Sequence, residues 1–164
     1  MEVKQKSVIT CTACGYSQTM DKEGFFHSED TQHEMRYVSD WSKWIYKDVE
    51  QSLAEDPDME LQADVTFRMV DEKKHKMVDV GEGIILLKRG RITLRGRIRG
   101  QETDLEVPIA GIPALPFSPG KHLEVQQGET IYRCAFKDGR PVMKFINLVK
   151  AQYRMEQAEL SKAK

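Results

Sequence analysis

The sequence has few cysteines and no long apolar run. Three of its 164 residues are cysteine, and two of them, Cys11 and Cys14, form one Cys-x-x-Cys pair. This count excludes a scaffold held together by disulfides and favours a reducing compartment. The longest strictly apolar run, Ile84–Leu87, is far shorter than the ~20 residues that cross a bilayer. The sequence therefore predicts a cytoplasmic protein.

The motifs that usually mark an active site are also missing. The sequence contains no Gly-x-Ser-x-Gly, no phosphate-binding loop, no dinucleotide fingerprint and no His-Glu-x-x-His. We therefore assign no catalytic residue to this chain.

Charge is unevenly distributed along a chain that is nearly neutral overall. Hydrophobic residues make up 40% and charged residues 31%, which is typical of a globular protein. The net charge is −7 over residues 1–60, +5 over residues 61–100 and +1 over residues 101–164. Segregated charge of this kind indicates separate modules or a basic surface that faces an anionic partner.

An amphipathic helix is predicted over residues 39–55. Ser39 is a favourable N-cap, and Asp40 suits the positive end of a helix dipole. Apolar residues recur at steps of three and four and form one stripe: Trp41, Trp44, Ile45, Val49 and Leu53. Because two exposed tryptophans are costly, we expect Trp41 and Trp44 to form a docking face packed on protein rather than a membrane anchor.

From Leu61 the apolar period changes to two, the spacing of half-buried strands. An amphipathic helix then begins at Pro141, and its polar tail from Gln157 onward is expected to fray. Seven strands are predicted between these points, over residues 61–69, 77–88, 91–99, 102–107, 110–116, 121–126 and 130–136.

This order of elements predicts a mainly β, α+β fold. The main prediction is a pleckstrin-homology-like (PH-like) seven-stranded barrel capped by the C-terminal helix and preceded by the tryptophan helix; another helix-capped β-sandwich is the alternative. Cys134 is expected to be a buried, inert thiol on the last strand. The predicted core comprises Phe67, Ile92, Leu94, Tyr132, Phe136, Phe145 and Ile146.

The segment from Lys88 to Arg99 has six positive charges and no acid. On a strand, its arginines share one face, which predicts an anion-binding stripe for lipid headgroups or nucleic acid. The alternative, which we favour, is a solvated face whose arginines pair with acids of the next strand at positions 102, 104 and 106. The candidate anion-binding residues are Arg91, Arg95, Arg97 and Arg99.

The cysteine pair predicts part of a zinc site. Two thiolates on a tight turn followed by Gly15 resemble half of a zinc ribbon, but a structural site needs four ligands. His27 and His33 supply the formal spacing of a two-Cys, two-His site with Cys11 and Cys14. The alternative is that both histidines are ordinary polar residues, the thiols are free and no cofactor is bound.

The motifs at the N-terminal end resemble those of a known family. They are Cys11-x-x-Cys14-Gly15, Met20, Gly24, Asp40-Trp41-x-x-Trp44 and Gly81-x-Gly83. They are similar to the C-terminal extension of certain Firmicutes 1-acylglycerol-3-phosphate acyltransferases. In that family a zinc ribbon, an Asp-Trp-x-x-Trp helix and a β-rich domain follow one another. The family's catalytic His-x4-Asp lies in an upstream domain absent from these 164 residues, and its ribbon has an earlier Cys-x-x-Cys.

The resemblance implies a domain excised from a longer enzyme. Its parts are a half zinc ribbon at residues 1–37, the tryptophan helix and linker at 38–60, and a PH-like domain with its C-terminal helix at 61–164. We expect a non-catalytic accessory domain that docks on the acyltransferase domain of its parent or helps to hold it at the anionic inner membrane face.

Two alternative functions remain open. One is a zinc-ribbon protein that binds nucleic acid through the arginine strand; the absence of aromatic residues from residues 88–99 makes this unlikely. The other is a protein-interaction module that presents the tryptophan helix.

The first testable prediction concerns zinc. If the ribbon lacks its first cysteine pair, the purified chain should hold well under one zinc per molecule, because two thiols cannot complete a tetrahedral site. Elemental analysis measures this content. Stoichiometric zinc that is lost on Cys11→Ser or His33→Ala would instead establish the two-Cys, two-His site.

Overall fold

The computed structural model describes residues 7–10, 15–28, 35–112 and 114–162, which form two units. The first unit ends at Asp48 and the second begins at Val49. Within the described residues, no helix combines the length and apolar character needed to cross a membrane.

A small antiparallel sheet forms the start of the first unit. Its strands are β1 (Ser7–Thr10), β2 (Ser17–Met20) and β3 (Phe26–His27), arranged in that order. Phe26 is 1% exposed and supplies a buried apolar side chain.

Helix α1 spans Val38–Glu55, close to the predicted range. The predicted N-cap at Ser39 is wrong, because Ser39 lies inside the first turn. Tyr37 precedes the helix instead, and its backbone N–H donates to Asp40 Oδ2 at 3.0 Å. A carboxylate in the first turn therefore satisfies the N–H of the residue before the helix, as in half of a capping box.

The second unit is built on a seven-stranded antiparallel sheet with the order β7-β6-β5-β4-β10-β9-β8. The first strand in sequence, β4, pairs with the last, β10, and every other pair is a consecutive hairpin or meander. The strands are β4 (Glu60–Asp71), β5 (Lys76–Lys88), β6 (Arg91–Ile98), β7 (Gln101–Pro108), β8 (Phe117–Ser118), β9 (His122–Gln127) and β10 (Thr130–Phe136). With the C-terminal helix, this topology confirms the predicted PH-like, α+β fold.

A close approach between β5 and β6 depends on glycine. Gly83 faces Gly96 in the register of these strands. A Cβ on Gly83 would lie 2.1 Å from the carbonyl oxygen of Arg95, and one on Gly96 would lie 2.4 Å from that of Glu82. Any side chain here would push the two strands apart, so glycine is required at this close approach of the backbones.

The predicted strand over residues 110–116 is wrong. Ile109–Gly111 forms a short 3-10 turn, and β8 begins only at Phe117. Two prolines, Pro113 and Pro116, interrupt this segment of the sequence. Proline has no N–H for the strand ladder, which explains why this segment does not form a strand.

Helix α2 spans Pro141–Lys162, beginning at the predicted proline. It remains helical to Lys162, so the predicted fraying from Gln157 is not observed. Its buried face carries Val142, Phe145, Ile146, Leu148, Val149 and Ala151.

The interior follows the alternation of the strands. Of the seven predicted core residues, Phe67, Ile92, Leu94, Phe145 and Ile146 are at most 2% exposed. Tyr132 and Phe136 are only half-buried. Phe136 still contacts the helix, because its ring centroid lies 5.4 Å from that of Phe145 in an edge-to-face arrangement.

Replacing Phe145 with alanine is expected to lower the free energy of unfolding by about 3–5 kcal/mol, because the ring is fully buried between sheet and helix. Denaturant unfolding measures the loss. The control is Met143→Ala on the same helix, since Met143 is 39% exposed. A loss below ~1 kcal/mol for Phe145→Ala would show that α2 does not fill the core.

Candidate functional site

The arginine strand is paired with its neighbour. Arg95 Nε lies 3.0 Å from Asp104 Oδ2, and Arg97 Nε lies 3.3 Å from Glu102 Oε1, both directly opposite in the β6–β7 register. Arg91 Nη1 reaches Glu106 Oε2 at 2.8 Å. These three acids are the partners expected for a solvated, internally paired face.

The remaining charges of this basic segment behave similarly, with one exception. Lys88 Nζ lies 2.8 Å from Glu60 Oε2, and Arg89 makes two hydrogen bonds to the carboxylate of Asp58. The hydrogen bonds from Arg89 hold the pKa of Asp58 below its usual value. Among the described residues, Arg99 alone in this segment has no acidic partner within ion-pair distance.

Arg99 does not lie on the strand, contrary to the prediction. β6 ends at Ile98, and Arg99 takes a positive φ of 50° in the turn to β7. Its backbone N–H donates to the carbonyl oxygen of Val80 at 2.7 Å. The proposed stripe therefore consists of three paired arginines and one unpaired arginine at the end of the hairpin, and anion binding by these residues stays a prediction.

Only one of the four predicted zinc ligands lies in the described part of the chain. Cys11, Cys14 and His33 fall outside it. His27 is exposed, and its Nε2 lies 2.6 Å from Asp21 Oδ2. The described residues contain no group of three or more histidine, cysteine, aspartate or glutamate side chains placed to hold a metal ion. The zinc site therefore stays a prediction.

The predicted docking tryptophans differ in their surroundings. Trp41 is half-buried, and its Nε1–H donates to Oε1 of the buried Gln18 at 2.6 Å. Trp44 is 47% exposed and meets Trp41 edge to face at 6.3 Å between ring centroids. The continuous buried stripe expected on α1 is wrong, because Ile45 is 41% exposed and only Leu53 is fully buried. A docking role for Trp41 and Trp44 stays a prediction.

The single thiol in the described residues is shielded. Cys134 is 0% exposed, and burial raises the pKa of its thiol far above the usual range. A buried neutral thiol is a poor nucleophile. This confirms the prediction of a structural cysteine on β10.

The second unit also has a groove that the sequence did not indicate. Its volume is about 490 Å³, and it runs between the irregular segment before β8 and the outer face of the β9–β10 hairpin. One wall is formed by Gly111, Ile112, Ala114, Leu115 and Pro116, and the other by Glu124, Gln126, Gly128 and Ile131.

The walls of this groove are held in place by local contacts. The backbone N–H of Glu124 donates to the carbonyl oxygen of Pro116 at 2.8 Å, which ties the segment to β9. On the other wall, Gln126 and Ile131 are opposite each other, and Arg133 pairs with Glu124 at 2.7 Å. The surface of the groove is thus mixed: apolar side chains lie beside polar backbone groups, one amide and one partly buried ion pair.

One feature of the sequence could have indicated this surface. The inward positions of β10 are Tyr132, Cys134 and Phe136, so Ile131 is an apolar residue on the outward face. It is 44% exposed. An isoleucine out of phase with the alternation of its strand is therefore the feature that sequence reasoning missed.

Comparison with known proteins gives a likeness of fold only. No family model matches the chain, and no curated protein matches it. One similar solved structure is the Ran binding domain from the nuclear complex component Nup2 of Ashbya gossypii. It has 14% identity and a TM-score of 0.42, covering 57% of this chain and 95% of that one.

Another similar structure is the Dm DCP1 EVH1 domain in complex with the XRN1 DBM peptide. It has 17% identity and a TM-score of 0.43, covering 78% of this chain and 97% of that one. At this level of similarity, neither structure bears on the partners or the activity of this chain.

Proposed function

We propose that the second unit is a protein-interaction domain whose groove binds an extended apolar segment of a partner protein. The observation that carries this proposal is the open groove beside β8, at one end of the seven-stranded sheet. β8 is only two residues long and is paired on one side, with β9. Because so short an edge strand offers few free backbone groups, an extended ligand would be held by side chains that enter the groove rather than by strand pairing with β8.

The chemistry of the groove favours a peptide over a charged small molecule. Its exposed apolar contacts come from Ile112, Pro116 and Ile131, and Gln126 adds an amide at the middle of one wall. The neighbouring charges are Glu124 and Arg133, which already neutralise each other. The groove therefore offers apolar burial and amide hydrogen bonding without a net charge from this pair, which matches a peptide backbone with apolar side chains.

The size of the groove is compatible with this ligand. A volume of about 490 Å³ lies within the ~300–1,000 Å³ range of pockets that enclose ligands. Burying the exposed part of Ile131 adds about 1 kcal/mol, since full burial of such a side chain contributes about 1.5–3 kcal/mol. Several contacts of this kind are needed for micromolar affinity, about −8 kcal/mol.

The groove is tested with a library of random peptides displayed on phage and selected on the purified chain. Enriched peptides should carry apolar residues at alternate positions, because the side chains of an extended segment alternate. Their affinity should fall at least about tenfold in Ile131→Glu, which combines lost burial with a buried charge. Fluorescence anisotropy of a selected peptide measures the change.

The matched control is Val70→Glu, since Val70 is 53% exposed on β4 and does not line the groove. Its affinity for the same peptides should be unchanged. Failure to enrich any peptide, or equal affinity of the Ile131→Glu variant and the original chain, would contradict the proposal.

A second candidate function is the accessory role implied by the acyltransferase resemblance. It is supported by element order, since hairpin β1–β2 flanks Cys11 and Cys14 in sequence and α1 carries Trp41 and Trp44. In this role the parent enzyme makes its own membrane contacts. The arginines of β6 and of the following turn then contribute a further, weak affinity for an anionic membrane. Each basic residue contributes at most about 1 kcal/mol at such a surface, so four give only millimolar binding.

Co-sedimentation with vesicles tests this second candidate. Binding at low salt should require anionic lipid, fade by about 0.15 M salt as the screening length falls to ~8 Å, and disappear in Arg95→Ala/Arg97→Ala/Arg99→Ala. The control removes the same number of charges from the β4–β5 turn region, as Lys73→Ala/Lys74→Ala/Lys76→Ala, and should retain binding. Equal sedimentation with neutral lipid, or loss of binding in the control alone, would contradict an arginine-based membrane contact.

A further inference from the structure

A second, smaller pocket lies between α2, the β5–β6 turn and the chain that follows α1 in the second unit. Its volume is about 120 Å³. Apolar side chains on its walls come from Leu53, Pro57 and Met155, and polar side chains come from Gln152, Glu156 and Glu159. This pocket shares no lining residue with the groove beside β8.

Gln152 makes this pocket unusual. Its side chain is buried, with 5% exposure, and neither its Oε1 nor its Nε2 has a hydrogen-bond partner among the residues that the structure describes. Glu156, one helical turn further along α2, also has an unpartnered buried oxygen, Oε2. Buried polar atoms are almost always paired, so three unpaired atoms lining one pocket point to a missing ligand or water.

The carboxylate of Glu156 lies beside Gly90. A Cβ on Gly90 would lie 2.0 Å from Glu156 Oε1, so the glycine leaves space for the carboxylate in this position. Burial and the charge of Glu159 raise the pKa of Glu156. The negative charge of ionised Glu156 is therefore poorly stabilised by its surroundings in this pocket.

The positive charge at the rim does not compensate it. Arg89 lines the same pocket, but both of its hydrogen bonds go to Asp58. Counting Arg89 and Asp58 as one neutral pair, the pocket retains the charges of Glu156 and Glu159. It is thus an acidic pocket with apolar walls, two unpaired acceptors and, at Gln152 Nε2, one unpaired donor.

We propose that this pocket binds the guanidinium group of an arginine side chain from a partner protein. The guanidinium N–H groups would donate to Gln152 Oε1 and Glu156 Oε2, and its charge would offset the two carboxylates. A guanidinium carries five N–H donors in one plane, so it can satisfy acceptors on two residues at once.

The size and walls of the pocket fit this group. At ~30 Å³ per water, 120 Å³ holds about four waters, comparable to the four non-hydrogen atoms of a guanidinium. Met155, Pro57 and Leu53 provide an apolar surface for the methylene stem of the arginine. A lysine ammonium is a more compact and more strongly hydrated charge, so it gains less from two separated acceptors and apolar walls.

The test uses methylguanidinium chloride as the probe and the side-chain amide signal of Gln152 in an NMR titration, with ionic strength held constant by sodium chloride. The Gln152 signal should shift in a saturable manner with a millimolar Kd. Methylammonium chloride at the same concentrations should bind at least about threefold more weakly. Glu156→Gln keeps the shape of the side chain and should weaken methylguanidinium binding at least about fivefold.

The matched control is Glu72→Gln in the β4–β5 turn, which removes one acid from an exposed position outside the pocket. It should leave the titration unchanged. A Gln152 signal that does not shift, equal binding of the two probes, or unchanged affinity in Glu156→Gln would overturn the proposal. Each of these outcomes would identify the pocket as a site for structural water only.

Discussion

The pairing of β4 with β10 is the contact on which the second unit depends. Four residue pairs, from Arg133–Arg68 to Phe136–Val65, join the first four strands of the sheet to the last three. In this short ladder Cys134 lies opposite Phe67, and both are fully buried. Because α2 follows β10 directly, the same pairing positions the helix, and Phe145 packs beside Phe136. The groove and the acidic pocket both border elements that this ladder holds in place.

Charge has a different role on the two faces where it is concentrated. The arginines of β6 lie beside acidic residues of β7, and the opposite charges neutralise each other at the surface. Exposed ion pairs of this kind contribute little to stability. Beside α2, two carboxylates share a pocket and the cation at its rim is already bound to Asp58. Charge that is exposed and paired is a weak indication of function, whereas charge that is partly buried and uncompensated is a stronger one.

Much of the fold could be predicted from periodicity, and the failures have specific causes. Six of the seven predicted strands in the second unit were found, because alternation in a half-buried strand is a local signal. Residues 110–116 are also apolar, but the two prolines among them have no N–H to donate to a strand ladder. The stripe on α1 predicted burial that Trp44 and Ile45 do not show, because periodicity says which residues share a face and not what covers it. The groove and the pocket each combine residues from separate segments, so no single local pattern contained either site, although Ile131 was out of phase with its strand.

The complete burial of Cys134 also makes it an internal reporter of the β4–β10 ladder. A thiol with no exposed surface can meet a reagent only when the packing around it opens. Its rate of chemical labelling therefore follows the opening of the core at this ladder rather than the intrinsic reactivity of the sulfur. Fraying at the far edge strands β7 and β8 leaves this rate unaffected, so one side chain distinguishes loss of the centre of the sheet from loosening at its borders.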